Sequence, residues 1–364
     1  MKKKVIIRTA AALLAVVLLY PVCGYGISAQ KAILVDGQTG RVLYEKSGDA
    51  RCLIASTTKI MTALIVCQQC HVLDLVRIPR EAVGIEGSSM YLQEGELLTV
   101  QELLYGLMLS SGNDAAVALA MYCSGSVEAF VEQMNEKAKS LGLSGTHFAN
   151  PHGLDAPEHY STARDLATLA AYAMENPFFR QTVSTKSVTV GQRMLTNHNK
   201  LLWQVEGADG VKTGFTKAAG RILVSSAQRF GRRLICVTID DGNDWLDHKN
   251  LFECGFSEFV HRRMVEAGQS LGSVSVFGGM QETVSLVAAE DFSYAMAAGE
   301  RVSFTPSIKS HAYAPVVQGA RAGYAYVCID GKAVGKVAVV YAQTIELLPP
   351  QKMKLWDKIF GGKT

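Results

Sequence analysis

The hydrophobic pattern changes period twice along the chain, and these changes constrain the fold more than any other feature. AILVDGQTGRVLYEKS reads as strand, glycine-containing turn and strand, starting at Ala32 and resuming at Arg41. From Ser56 to about Gln69 the period becomes helical, with Ile60, Met61, Leu64, Ile65 and Cys67 apolar and Ala63 suited to close packing. Further helical stretches are expected over about 99–109, 113–122, 126–140 and 162–174. GVKTG, GRILVSSAQ and RRLICVTID, between Gly210 and Asp240, then read as consecutive strands, and Leu246–Cys254 as a helix returning on them. Strands at both ends with helices between them require a sheet assembled from sequence-distant pieces.

From about residue 264 the period stays short, and Gly, Asp and Pro punctuate each run. This predicts a small all-β domain of roughly 85 residues. The expected organisation is a signal segment over 1–29, a larger domain of strands and helices over 30–258, a β-rich domain over 265–349 and a basic amphipathic tail over 350–364. The domain boundary falls between Gly255 and Ala267. No internal repeat or low-complexity tract is visible.

Charge sorts the ends from the body. The chain carries 36 basic and 33 acidic side chains, a net of +3. Lys2, Lys3, Lys4 and Arg8 precede an apolar run from Thr9 to Tyr20, and small residues follow at Gly24, Gly26, Ser28 and Ala29. This is the layout of a secretory signal, with an uncleaved anchor as the alternative. In QKMKLWDKIFGGKT, Met353, Leu355, Trp356, Ile359 and Phe360 share one helical face, opposite Lys354 and Lys358. Such a helix suits a membrane interface, or it docks on the protein's own surface. Without the first segment, positive and negative charges nearly cancel, which excludes a strongly basic nucleic-acid-binding body; no nucleic-acid partner is expected. Cys67 and Cys70 form a CxxC late in an apolar stretch, with no second pair nearby. They read as buried thiols, with a disulfide as the next alternative and a metal site as the remotest.

The chemistry begins at Ala55-Ser56-Thr57-Thr58-Lys59, an SxxK at the start of an apolar helix. Three residues along a helix place both side chains on one face, so the Lys59 amine can reach the Ser56 hydroxyl. A serine hydroxyl needs a base to become a nucleophile, and lysine serves only when burial or nearby positive charge lowers its pKa. Alone, the pattern equally describes a capping serine and a snorkelling lysine. Ser111-Gly112-Asn113 and Lys212-Thr213-Gly214 follow in order, and the three together are the signature set of penicillin-recognising serine enzymes.

On these motifs the chain resembles the low-molecular-mass penicillin-binding proteins, serine-type D-alanyl-D-alanine carboxypeptidases. The likeness extends through ILVDGQTGRVLYEKS, ASTTKIMTAL, GSSMYLQEGELLTVQELLYGLMLSSGNDAAVALA, HFANPHGLDAPEHYSTARDLATLAAYA and GVKTGFTKAAGRILVSSA, and into the β-domain and tail. The resemblance implies an α/β (α+β) fold with an antiparallel sheet, flanking helices and a helical subdomain. It implies peptidoglycan stem peptides ending in D-alanyl-D-alanine as substrate, and β-lactams as acylating inhibitors. Ser56 would attack the terminal peptide carbonyl and Lys59 would accept its proton. Ser111 would relay a proton to the leaving amine and Asn113 would hold the substrate amide. Lys212 would supply charge, Thr213 would reach the substrate carboxylate, and Thr213 and Gly214 would line its strand. Phe215 would offer a backbone N–H to the oxyanion, with Ser56 giving the other.

His198 stands where several relatives carry an arginine that attracts the substrate carboxylate; Lys200 is a possible substitute. His147, His152 and His159 fall in a supporting loop, and Asp155 and Arg164 read as structural. No cofactor or metal is implied. The competing readings are a β-lactamase, an endopeptidase or transpeptidase on the same fold, and a wall-binding protein without turnover. Export to the outer face of the cytoplasmic membrane, or to the wall, follows from the signal.

Overall fold

The computed structural model describes residues 26–349; the apolar run of the expected signal and the tail from 350 lie outside the described residues. The chain divides into two compact units, with the boundary between Phe259 and Val260.

The first unit opens with the expected hairpin, β1 (Lys31–Asp36) and β2 (Val42–Lys46). A 3-10 turn, Ala55–Thr58, runs directly into α1 (Lys59–Gln69), so the helix expected from Ser56 begins as a tighter turn. Two short strands, β3 (Leu75–Arg77) and β4 (Leu97–Thr99), pair across an intervening loop. Then come α2 (Val100–Leu109), α3 (Asn113–Ser124) and α4 (Val127–Ser140). Thr99 and Glu102 form a reciprocal capping box that starts α2, and Gly125, with φ of 79°, ends α3. A long connection leads to α5 (Ala163–Ala173) and α6 (Pro177–Ser184), the hairpin β5 (Ser187–Val190) and β6 (Arg193–Thr196), and a single turn, α7 (Leu201–Gln204).

The unit closes with β7 (Ala208–Thr216), β8 (Gly220–Arg229), β9 (Arg232–Ile239) and α8 (Asp244–Glu258). These strands join the first hairpin in a five-stranded sheet of order β2-β1-β9-β8-β7, paired antiparallel throughout. Alternation along the strands divides the faces. Ile33, Val35, Ile235, Val237 and Ile239 join the core shared with the helices. Leu34 and Leu234 point the other way, where Gly255 of α8 comes so close that a β-carbon would lie 2.7 Å from each.

Helix α1 is buried from Lys59 to Val66 and packs against α2, α3, α5 and α6. A helix apolar nearly all round belongs in the middle of its neighbours. The consequence is a polar N-terminus presented from the most constrained element of the unit. Strand β7 is an edge strand, and the 3-10 turn of Ser56 lies against it.

Ser28 is built into this unit as well: its backbone N–H donates to Asp247 at 2.6 Å and its hydroxyl to Asp241 at 2.6 Å. Ala29 is buried, and its carbonyl accepts from Lys46 at 2.6 Å.

The second unit is all-β. It contains β10 (Phe259–Val265), β11 (Ser270–Phe277), β12 (Thr283–Ala288), β13 (Phe292–Ala297), β14 (Val302–Ile308), β15 (His311–Tyr313), β16 (Arg321–Ile329) and β17 (Lys332–Tyr341). Six of these form one sheet of order β14-β16-β17-β12-β11-β15, while β10 pairs with β13. Among the described residues no single helix is long and apolar enough to cross a membrane.

Candidate active site

Ser56, Ser111, His198, Thr213, Gly214 and Phe215 line one cleft of about 520 Å³, together with Ser88, Lys200, Arg221, Ile222, Asp244 and Trp245. Lys59, Asn113 and Lys212 lie buried behind its wall.

Lys59 is fully buried, and its ammonium nitrogen reaches Ser56 Oγ at 3.0 Å, Asn113 Oδ1 at 2.7 Å and the His152 carbonyl at 2.5 Å. The Asn113 orientation is fixed from its other end, where Nδ2 donates to the Glu86 carbonyl at 2.6 Å. Two of the three Lys59 partners can therefore only accept. A neutral amine has two N–H bonds and one lone pair. Donating to Asn113 and His152 leaves the lone pair for the Ser56 hydroxyl. Burial, and then the neighbouring Lys212 charge, push Lys59 well below the ordinary lysine range, with Asp114 opposing the shift.

Lys212 is also buried, and its ammonium donates to the Thr213 carbonyl at 2.8 Å. Burial alone lowers it to about 7. Ser111 precedes α3 in a left-handed conformation, with φ of 61°, which turns the chain before Asn113 opens the helix.

Close backbone packing sets the position of Ser56. A β-carbon at Gly214 would lie 3.3 Å from the Ser56 nitrogen and 3.3 Å from the Ile54 carbonyl oxygen, so a side chain there would press on the backbone of the turn. On the other side, Gly153 has φ of 94°, and a β-carbon there would fall 1.9 Å from the Ala55 carbonyl oxygen. The same turn is braced by a directional chain of hydrogen bonds. Ala149 N–H donates to His159 Nδ1 at 3.0 Å, so the neutral ring carries its proton on Nε2 and donates to Thr58 Oγ1 at 2.7 Å. Thr58 in turn donates to the Ala55 carbonyl at 2.8 Å. Burial, followed by the charges of His147 and Lys59, lowers His159 to about 4 and keeps it neutral.

Sequence reasoning missed the role of Asp114. Its carboxylate accepts from Ser89 Oγ at 2.6 Å and from the backbone N–H groups of Met90 and Leu92 at 3.1 Å each. Asn113 N–H donates to the Ser88 carbonyl at 2.7 Å. The residues opening α3 thus fasten the loop that brings Ser88 to the cleft. The acid is visible in SGNDA, but its partners lie more than 20 positions away with no periodic signal.

His198 is exposed on the cleft wall, between buried Asn197 and Asn199. Asn197 donates to the Val183 and Thr185 carbonyls, and Asn199 to the Gly210 carbonyl at 2.7 Å. These two amides pin the segment so that the alternate residues His198 and Lys200 face the cleft. Partial desolvation at the cleft wall, and then the Lys212 charge, lower the His198 imidazole. Opposite them, Arg221 is paired with Asp244 and its guanidinium carbon lies 5.8 Å from the centre of the Trp245 ring. Asp155 accepts from Thr216 at 3.2 Å, and Arg164 pairs with Glu45 and Asp49.

Comparison with known proteins matches this arrangement to one lineage. Residues 21–243 match the D-alanyl-D-alanine carboxypeptidase family, and residues 259–347 match the C-terminal domain of penicillin-binding protein 5. The chain is 33% identical over 329 residues to the D-alanyl-D-alanine carboxypeptidase DacF of Bacillus subtilis, covering 85% of this chain and 84% of that protein. It is 34% identical over 326 residues to DacA of Haemophilus influenzae, with 85% and 83% covered. Penicillin binding protein 5 from Haemophilus influenzae superposes with a TM-score of 0.77 at 32% identity, covering 88% of this chain and 98% of that structure. The chain belongs to the D-alanyl-D-alanine carboxypeptidase family, the low-molecular-mass penicillin-binding proteins.

Proposed function

We propose that Ser56 is the nucleophile and Lys59 the general base of a serine D-alanyl-D-alanine carboxypeptidase acting on peptidoglycan stem peptides. The observation that carries this reading is the Lys59 amine, buried and 3.0 Å from Ser56 Oγ, with its other two contacts made to obligate acceptors. Ser56 Oγ bonds to the carbonyl carbon between the last two D-alanines as its proton passes to Lys59. The oxyanion forms between the backbone N–H groups of Ser56 and Phe215, at the junction that Gly214 keeps open. The tetrahedral intermediate collapses when the C–N bond breaks and the departing amine takes a proton by way of Ser111. Water then cleaves the acyl-enzyme, releasing the shortened stem and restoring Ser56.

The substrate lies along the free edge of β7, where main-chain pairing gives affinity without reading side chains. Its terminal carboxylate is met by Thr213, by the charges of Lys212 and Lys200, and by His198 acting as a neutral hydrogen-bond donor. A β-lactam enters the same path, but its leaving nitrogen stays tethered to the acyl group.

The same reading places the mature protein at the outer face of the membrane. The tail lies outside the described residues. Support comes from the place where the chain leaves the β-domain: Leu347 and Leu348 are exposed and run beside Gly278 and Gly279, next to exposed Phe277 and Met280. Deleting 352–364 is expected to move mature protein from membranes into solution; unchanged membrane retention overturns this anchor.

The decisive experiment for the chemistry pairs D-alanine release from a synthetic stem peptide with peptide mapping after labelled penicillin. Label on Ser56 and turnover lost in a folded Ser56→Ala variant are expected. Label elsewhere, or stem binding without released D-alanine, overturns the assignment in favour of a binding protein.

A further inference from the structure

Helices α1 and α3 both begin at the catalytic centre, where Lys59 bonds Asn113 at 2.7 Å, and both run away from it. Their far ends also meet. Cys70 caps α1 and Cys123 lies in the last turn of α3. The Cys123 thiol donates to the side chain of Gln69, the residue before Cys70, at 3.2 Å. The two thiols lie close enough to influence each other's charge state. Beside them Tyr122 donates to Asp74 at 3.0 Å, tying the turn after Cys70 to the end of α3. Both sulfurs belong to half-buried residues within reach of a small oxidant.

We propose that Cys70 and Cys123 are a disulfide-forming pair that locks the far ends of the two helices carrying Lys59 and Asn113. The exchange needs a disulfide oxidant of low molecular mass. Cys123 thiolate attacks one sulfur of that oxidant and expels the other as a thiolate, leaving a mixed disulfide. Cys70 then loses its proton and attacks Cys123 Sγ, expelling the second small thiol. Two protein thiols are oxidised, and one small disulfide is reduced to two thiols.

The attacking order follows from the surroundings. The neighbouring Cys70 thiol lowers Cys123 to about 7, close to the optimum for attack at neutral pH, and Cys123 in turn raises Cys70. Cys67, one turn earlier on α1, is pushed up to about 12 by burial and does not compete. The thiol that Cys70 meets is Cys123 at the end of α3, so the pair forms across the two helices.

The test is oxidation of the purified full chain with oxidised glutathione, followed by non-reducing peptide mapping and thermal unfolding. A Cys70–Cys123 linked peptide is expected, along with a Tm rise of about 5–10 °C from closing a loop of about 50 residues, reversed by reductant. Cys67→Ala should leave both results unchanged, and Cys70→Ser should abolish both. A Cys67–Cys70 linkage, or glutathione adducts without the cross-helix peptide, overturns the proposal.

Discussion

The Ser56 hydroxyl oxygen and the Lys59 amine lie 3.0 Å apart, and Lys59 is enclosed on its remaining sides by groups that cannot give it a proton. In the proposed mechanism base strength and geometry are thus supplied by one buried side chain. Lys59→Arg keeps a positive charge but cannot accept a proton at any working pH. We expect acylation by penicillin to fall by about 10³-fold or more, with the far-ultraviolet spectrum unchanged. Acylation within tenfold of the wild type would remove Lys59 as the base.

The two buried lysines predict opposite limbs in the pH profile. Lys59 must be neutral, so activity rises as pH climbs through its lowered pKa. In the proposed mechanism Lys212 stays charged to meet the substrate carboxylate, so activity is expected to fall as pH climbs through about 7 in the free enzyme. The Lys212 charge also depresses Lys59, so the acid limb depends on Lys212 remaining charged. Lys212→Arg holds its charge to far higher pH, so the alkaline limb of the acylation rate should disappear while the acid limb remains. An unchanged alkaline limb would assign it to another group.

Ser56, Lys59 and the β7 triplet were legible because their relations are local: one helical turn in the first case, one strand in the second. The sheet was also legible, since a period-two pattern at both ends of a helical stretch leaves few ways to bury the apolar faces. What escaped was set by tertiary approach. No pattern links His152 to Lys59 across 93 positions, or Asp114 to Met90 across 24. The hairpin of β5 and β6 was missed because most of its residues are exposed or only half-buried, leaving little hydrophobic alternation to read. Glycine told less than it held: the sequence carries Gly153 in an evident loop, but only the fold reveals the carbonyl pressed against it.

That contact makes Gly153→Ala a sharp probe. The new methyl would fall 1.9 Å from the Ala55 carbonyl oxygen and 2.9 Å from Thr58 Oγ1, in a backbone conformation with φ of 94° that alanine disfavours. The turn carrying Ser56 must shift to make room. A displacement of about 1 Å at a reacting group costs on the order of 10²-fold in rate, so acylation should fall by about that factor while the protein still folds, at a lower Tm. Wild-type acylation in a folded variant would mean that the turn does not position Ser56.

Two buried histidines and one half-buried histidine predict acid sensitivity. His248 sits between Ser225 and Thr238 and burial lowers it to about 3, while His152 and His159 lie at about 4. Once unfolded, each returns to 6.5. Below that value the unfolded chain binds more protons, so the stabilisation is complete above about pH 6.5 and is lost as pH falls toward the folded values. Tm should be level above about pH 6.5 and already falling by about pH 5, before most carboxylates titrate. His248→Gln should flatten that slope, by up to about 1.4 kcal/mol per pH unit. A Tm that stays level to about pH 5 would contradict the assignment.

Asp114 offers a test that separates loop placement from proton chemistry. Its carboxylate takes the N–H groups of Met90 and Leu92 and the Ser89 hydroxyl, and these contacts hold the loop that carries Ser88 into the cleft. In Asp114→Asn one oxygen becomes an NH2 group that faces donors instead of accepting from them. A buried donor left unsatisfied costs about 1–3 kcal/mol, enough to release the loop. We expect kcat/KM to fall by about 10–100-fold, chiefly through KM, because the cleft wall rather than the base is disturbed. The charge acts separately: Asp114 holds the Lys59 pKa up, so its removal should move the acid limb of the profile to lower pH. A purely structural defect would lower the rate without moving that limb. A shifted limb with an unchanged KM would instead make Asp114 an electrostatic partner of Lys59 with no hold on the loop.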